Sequence, residues 1–286
     1  MTFDTVGEVD IRGENISRAV KGFAMKQFKL RQILKVESSS NLTETYYKES
    51  NTILTASGNR NIQGVARGAL PPEMSPSWEK TSSDHIKFMG QETIYYEDNL
   101  LDAISVQART FIRIAEAIAN AEDSYIYAQL TAATGTSGVV AAAATWNNAV
   151  VADRDPIGDI LIAIAAIGSN NYDVRANGYL LLNETDHANL LRNAKVINNP
   201  SFKTADVVSN GITGQICSLK IIVTDTVDAA EAMIVVGQRA ATWKSAAPLR
   251  AMAIVDEGIN IKVRAWEMGQ LQITDPQGLY TITGTA

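Results

Sequence analysis

Two histidines, one cysteine and a short run of aspartates are the side chains here whose types could carry chemistry. His85 falls in a polar stretch and His187 in the first turn of a predicted helix, and neither has a patterned partner. A Ser/His/Asp triad can draw on distant positions, but no Gly-x-Ser-x-Gly elbow is present to hold its nucleophile. Cys217 beside a distant histidine is a formal thiolate candidate. Its apolar neighbours Ile216 and Leu219 instead favour a buried structural cysteine. Asp153, Asp155 and Asp159 have the spacing that opens a calcium loop, yet two further ligand positions fall on Ile157 and Ile164, which have no side-chain oxygen to offer. Asp153 and Asp155 are better explained as polar residues ahead of a helix that opens at Pro156. Gly211-Ile212-Thr213-Gly214 lacks the lysine and spacing of a phosphate loop and reads as a turn, and no zinc signature occurs. Trp78, Trp146, Trp243 and Trp266 are scattered, so packing in a core or interface is the default for each. The residues therefore point to no catalytic group, metal or cofactor.

Bulk properties narrow the class. The 286 residues are 46% hydrophobic and 20% charged, enough to bury the core of one large domain or two modest ones. A net charge of −6 argues against a general nucleic-acid binder. It suits a container whose walls do not adhere to phosphates, and equally suits simple solubility. A single cysteine excludes an intrachain disulfide and fits folding in a reducing cytoplasm. The N-terminus, Met1-Thr2-Phe3-Asp4, lacks a signal-peptide pattern. The most apolar stretch, from Ile157 to Ile167, is too short to span a bilayer, so a soluble protein with no membrane partner is expected.

The order of elements is more informative. From Ile11 to Val36 there are seven basic residues and one acid, Glu14, with Ile16, Val20, Phe23 and Ala24 at helical spacing. This arm could pack on a neighbouring subunit, touch DNA, or present a solvated basic face. Residues 37–92 are polar and broken by Ser38-Ser39-Ser40-Asn41, Ser57-Gly58-Asn59 and Pro71 to Pro76, with β-like pieces such as Thr43 to Tyr47 between. So long a polar extension is unusual inside a compact domain. A projecting β-hairpin that finds its packing partner on another chain is the favoured reading; a flexible loop or an enzyme lid is the alternative.

Next comes a helix predicted from Glu97 to Leu130, about 50 Å long. Leu100, Ile104, Ala108, Phe111, Ala115, Ile118 and Ile126 form its stripe, while Asp98, Arg109, Arg113, Glu116 and Asp123 decorate the rest. A heptad coiled coil is the rival. Residues 131–155 read as a crossing between parts of the fold, and 156–251 as α/β. Pro156 to Ile167 is predicted helical and Gly178 to Leu182 a buried strand. Asn183 is predicted to cap a helix through Leu191; strands are expected at Leu219 to Val223 and Met233 to Val236. Ile259, Ile261, Val263 and Ala265 alternate with polar residues in a further strand. Asp275-Pro276-Gln277-Gly278 is a type I turn before a closing strand, Leu279 to Thr283.

A basic arm, a long polar hairpin, a very long helix, an α/β region and a returning β segment make an order that resembles the Hong Kong 97-like capsid fold of tailed bacteriophages. The residues that carry the resemblance are Ile94 to Asp102, which look like the family's hairpin-to-spine junction, Gly178 to Leu191, which resemble its strand-Asn-helix unit, and Ile259 to Trp266 with the Asp275-Pro276 turn and terminal strand. The resemblance implies an α+β fold divided into an N-arm (1–36), an E-loop (37–92), a P-domain with spine helix (93–135), an A-domain (136–251), returning P-domain strands (252–275) and a closing A-domain strand (276–286). It implies a structural protein, not an enzyme: a major capsid protein that assembles through pentamers and hexamers into an icosahedral shell around a genome. The E-loop would lie over a neighbour's spine helix and the arm beneath an adjacent subunit.

Inter-subunit contacts are then expected at Arg18, Lys21 and Lys26 of the arm, at Arg60, Arg67, Trp78 and Lys80 of the hairpin, and at Glu97, Asp98, Arg109 and Arg113 of the helix. Portal, scaffold, protease or decoration proteins are the implied further partners, and packaged double-stranded DNA would be contacted weakly and without specificity. Many relatives begin with a scaffold-like region that a protease removes. None is expected ahead of the arm here, so that scaffolding would come from a separate protein or the chain would be a processed form. Some relatives crosslink Lys to Asn. Lys48, Lys80 and Lys87 lie in the right region, but nothing marks one as reactive. An encapsulin-type compartment shell shares the implied fold, and a soluble α/β enzyme with a hairpin lid is the reading from another class.

Overall fold

The computed structural model describes residues 19–24, 28–49, 66–70, 78–100, 106–134, 138–197, 215–256 and 259–286. Helical residues 19–24 (α1) and a 3-10 turn, Leu30–Ile33, lead into β1 (Lys35–Ser38). β2 (Thr43–Glu49) and β3 (Trp78–Asp84) form a separate two-stranded antiparallel sheet. β4 (Ile86–Tyr95) gives way directly to the short α2 (Tyr96–Leu100), at the junction where the sequence places the end of the hairpin. The long helix α3 (Val106–Thr134) follows: 29 residues, or about 43 Å, ending one turn later than its apolar pattern suggested. Residues 101–105 lie outside the described residues, so the expected single rod from Glu97 is seen as α2 and α3.

One sheet runs β1-β10-β11-β4, with β10 (Ala241–Asp256) and β11 (Asn260–Ile273) as a long antiparallel hairpin. β10 was not anticipated from the sequence. Its alternation is blurred by alanines and by Pro248, which falls where the pairing register shifts between Ala247 and Arg250. A proline lacks the N–H a central ladder needs and is tolerated at such a bulge. β1 joins the far edge in parallel, pairing Lys35 with Thr242 and Val36 with Trp243.

The second sheet has six strands in the order β5-β12-β9-β6-β8-β7. These are β5 (Val139–Ala141), β6 (Gly178–Leu182), β7 (Gln215–Ile216), β8 (Leu219–Val223), β9 (Glu231–Val236) and β12 (Leu279–Thr283). Leu180 and Leu182 face one core with Ile160, Ile164 and Ile167 of α4 (Pro156–Ser169). Leu181 faces the other, with Leu30, Ile33, Ile126 and Leu130. Burial on both faces explains the uninterrupted leucines of β6. α5 (Val174–Asn177), α6 (Glu184–Leu191) and α7 (Ala194–Ile197) complete this half. The Asn183 side chain accepts from the Thr185 N–H, the cap that its position before α6 predicts. Gly278 N–H donates to the Asp275 carbonyl, closing the turn before β12.

The aspartates take structural roles. Asp155 caps α4 by accepting from the Gly158 N–H at 3.1 Å. Asp159 is buried and accepts from the Ala143 N–H at 3.1 Å and the Trp146 indole N–H at 3.0 Å. In the other core, the rings of Phe88, Tyr125 and Trp243 meet at centroid separations of 5.8 to 6.4 Å, and Gly269 lies flat against Trp243.

Two substitutions test this packing. A Cβ at Gly269 would fall 2.3 Å from Trp243 Cζ2 and 3.1 Å from the Lys244 carbonyl oxygen. Gly269→Ala is therefore expected to lower stability to urea unfolding by about 1–3 kcal/mol. Asp159→Ala strands the buried Trp146 indole N–H and frees the part-buried Ala143 N–H, and is expected to cost about 1–3 kcal/mol in the same assay.

Candidate inter-subunit surfaces and the arm anchor

The residues first considered for catalysis are dispersed. His85 is buried at the β3–β4 junction with Nδ1 2.9 Å from the Leu42 carbonyl, while His187 lies on α6, where burial pulls its pKa down. Cys217 and Ser218, both with positive φ, form the two-residue turn between β7 and β8. The Cys217 thiol packs partly against a core, and burial raises its pKa, which makes it a poorer nucleophile. Among the described residues, no group of three or more His, Cys, Asp or Glu could hold a metal, and no helix is long and apolar enough to cross a membrane. Gly211 to Gly214 lie outside the described residues.

The surfaces that stand out are apolar. β10, β11 and β4 lay one face on α3. There Ile94, Val263 and Ala265 pack against Phe111, Ile114, Ala115 and Ile118. The residues alternating with these point the other way. Cross-strand rows run Met252–Arg264–Gln91, Ile254–Lys262–Thr93 and Arg250–Trp266–Met89. Met89, Tyr95, Met252 and Ile254 are exposed on that face, Met89 by 57%. Its cations are partly engaged: Arg264 donates to Gln91 at 2.7 and 3.0 Å, Lys262 meets Asp256 at 2.8 Å, and Lys87 sits 5.1 Å over the Trp266 ring. An exposed face of large apolar side chains rimmed by charge is the usual mark of a protein contact.

Among the described residues, the β2–β3 hairpin is held to this body along one side. Ser83 Oγ donates to Gln270 at 2.8 Å, and Gln272 Nε2 donates to Glu44 at 2.9 Å. Tyr47 is exposed, and Thr43, Thr45, Lys80, Ser82 and Asp84 are open to solvent. The ends of the polar stretch 37–92 belong to the body, because β1 and β4 are strands of its sheet. Reliance on another chain is thereby narrowed to the hairpin. Residues 50–65 and 71–77 lie outside the described residues.

Of the expected contact positions, Arg18, Lys26 and Arg60 lie outside the described residues. Lys21 is exposed on α1, at a cavity of about 340 Å³ shared with Arg31 and Glu267. Arg67 and Lys80 are exposed, and Trp78 is the first residue of β3, paired with Glu49. Glu97 and Asp98 are exposed in the first turn of α2, Arg109 is exposed on α3, and Arg113 reaches Glu92 of β4 at 3.4 Å.

The cluster that sequence reasoning missed lies beneath the arm. Asp123, expected on the polar side of the helix, is buried and accepts from the Lys29 and Leu30 N–H groups at 3.0 and 3.1 Å. Its neighbour Glu122 and Glu267 of β11 are fully buried on either side of Arg31, whose NH1 is 3.5 Å from Glu122 and 2.8 Å from Glu267. The guanidinium also stands over Phe28 at 5.0 Å and Trp243 at 5.7 Å. Burial is the largest influence on Glu122. Arg31 opposes it, Glu267 and Asp123 add to it, and the carboxyl is pushed up to about 8. Burial likewise raises Glu267 and Asp123, against the pull of Arg31 and of the two N–H donors respectively. A signal was available: Glu122 continues the stripe of Phe111, Ala115 and Ile118, and Glu267 continues the inward row of Val263 and Ala265. An acid in an apolar row needs a buried partner.

The fold resembles solved shell structures along nearly its whole length. The capsid of Cyanophage P-SCSP1u superposes with a TM-score of 0.67 at 12% identity, covering 99% of this chain and 92% of that one. A virus-like particle from Pyrococcus furiosus gives 0.64 at 14% identity, covering 94% and 98%. The capsid of a native GTA particle gives 0.64 at 14%, covering 100% and 95%. At these identities the likeness establishes the Hong Kong 97-like fold. No curated protein matches the sequence. The family described as phage capsid protein matches residues 89–282, from the last part of β4 through α3 and both sheets to β12. Matched over more than half its length and sharing the capsid fold, the chain belongs to the phage capsid protein family.

Proposed function

We propose that this chain is the major capsid protein of a tailed double-stranded-DNA phage, made in the host cytoplasm and assembled through pentamers and hexamers into an icosahedral shell around the genome. The observation that carries this reading is the apolar face the protomer leaves open, with Met89, Tyr95, Met252 and Ile254 uncovered beside a hairpin attached along one side. Family membership gives that surface its purpose: copies of the chain cover it for one another.

In this reading residues 1–36 serve as the N-arm and 37–92 as the E-loop. Residues 93–135 with 252–275 form the P-domain, and 136–251 with 276–286 the A-domain. Lys80 and Arg67 on the hairpin, Lys21 on the arm, and Glu97, Asp98, Arg109 and Arg113 along α2 and α3 are exposed and available for contacts between subunits. Arg18, Lys26, Arg60 and Trp78 are assigned the same role by their places in the arm and hairpin. Many moderate contacts per subunit sum to a shell that resists internal pressure. With a net charge of −6, contact with packaged DNA is weak and non-specific. Portal, scaffold, protease and decoration proteins are the further partners of such a shell.

Electron microscopy of the purified protein tests the reading. Closed shells, rings or tubes are expected, and discrete monomers at high concentration contradict it. Shells that hold protein cargo in place of nucleic acid would favour an encapsulin-type compartment. Replacing residues 50–77 by a two-residue Asn-Gly turn, which closes β2 onto β3 across the Glu49–Trp78 pair, is expected to leave urea unfolding within about 1 kcal/mol of wild type while abolishing shells.

A further inference from the structure

Two fully buried carboxylates, Glu122 and Glu267, share a single guanidinium, Arg31. Neither oxygen of Glu122 receives a hydrogen bond among the described residues. Burying two negative charges against one positive charge leaves one uncompensated, and such a group gives up its charge by holding a proton. We propose that this node is a proton-operated latch: the arm turn over residues 28–33 stays seated on α3 and β11 while Glu122 carries a proton, and loosens as that proton is lost. The inference rests on the protomer's own geometry and is separate from the shell reading.

The charged groups facing the node come from each element packed there. The arm supplies Arg31, with Lys29 acting on Asp123 and Lys21 on Glu267; β11 supplies Glu267; α3 supplies Glu122 and Asp123. Arg31 is the part of the arm turn that enters the node, and Asp123 holds the two N–H groups just before it. A change of charge at Glu122 therefore acts on the residues that seat the arm. A cavity of about 340 Å³ lined by Lys21, Phe28, Arg31 and Glu267 adjoins the node on its Arg31 and Glu267 side.

The direction follows from linkage. The Glu122 carboxyl rises from 4.5 to about 8 in the seated form. Between those values the seated arm binds a proton that a released arm, with Glu122 in water, has lost. Seating is therefore firmest at low pH, weakens by up to about tenfold per pH unit as pH rises, and levels off above about 8. Glu267 and Asp123, also raised, act in the same sense.

Hydrogen exchange at the Lys29 and Leu30 amides of the full chain, corrected for intrinsic rates, tests the latch between pH 5.5 and 8.5. Wild-type protection is expected to fall with pH, Glu122 alone contributing up to about tenfold per unit, and then to level off. Glu122→Gln, which keeps the shape and cannot ionise, is expected to lose that part of the slope. Wild-type protection independent of pH, or a Glu122→Gln slope as steep as wild type, would overturn the proposal. Should Glu122→Gln fail to fold, Glu267→Gln serves instead. It leaves Glu122 sole use of Arg31, so the fall should become shallower and end at lower pH, and an unchanged profile rejects the latch.

Discussion

A protomer of this chain carries more apolar surface than it can cover by itself. The long β10–β11 hairpin and β4 form a single layer, and α3 covers one face of it. Two layers around one core are enough for a domain to fold, but the outer face of such a slab must then be polar or find a partner. Here it presents Met89, Met252, Ile254 and Tyr95. Each large side chain removed from water is worth about 1.5–3 kcal/mol, so even partial coverage of this face repays association. A thin slab with an unfinished face makes a marginal isolated protein and a good wall element, and the two-stranded hairpin beside it obeys the same logic. Two strands alone are marginal in water, and among the described residues this pair meets the body along one side.

The arm is joined to the slab by different physics. Asp123 caps the turn through two backbone N–H groups, and Arg31 enters a site walled by Phe28 and Trp243 and lined by acids. That node lies where α3, β10 and β11 converge, and the core of Leu30, Ile33, Leu181 and Met233 extends from it to the six-stranded sheet. Apolar packing thus fixes the arm turn to both halves of the fold, while the buried ion cluster sets the conditions under which it stays. Replacing such a cluster by apolar residues is often neutral or stabilising, so its presence suggests a role other than stability.

Much of the fold was legible wherever local rules decide. The leucine run of β6, the Asn183 cap, the Asp275 to Gly278 turn and the strand-to-helix change at Tyr95 and Tyr96 all lie where residue type and spacing place them. β10 was hidden because alanines, Lys244 and Pro248 interrupt its alternation, and only its pairing with β11 along its length and with β1 over Thr242 to Ser245 makes it a strand. β1 is a strand only because it lies beside β10, about two hundred residues later in the chain. The arm anchor was illegible for a related reason. Leu30 and Asp123 are 93 residues apart, and no local pattern says which cation will answer an acid in an apolar row. The positions expected to touch neighbours are mostly exposed charges, which any soluble surface supplies, whereas the open apolar face emerged only once strand register showed which side α3 covers.

The central claim is that the hairpin and the open sheet face are completed by other copies of the chain. Hydrogen exchange measured on free protomers and on assembled particles reads this directly. Amides of β2 and β3 should exchange at least about tenfold more slowly in particles, while those of β6 and β9, buried within the protomer, change little. Hairpin amides already as protected in the free protomer as those of β6 would contradict the account.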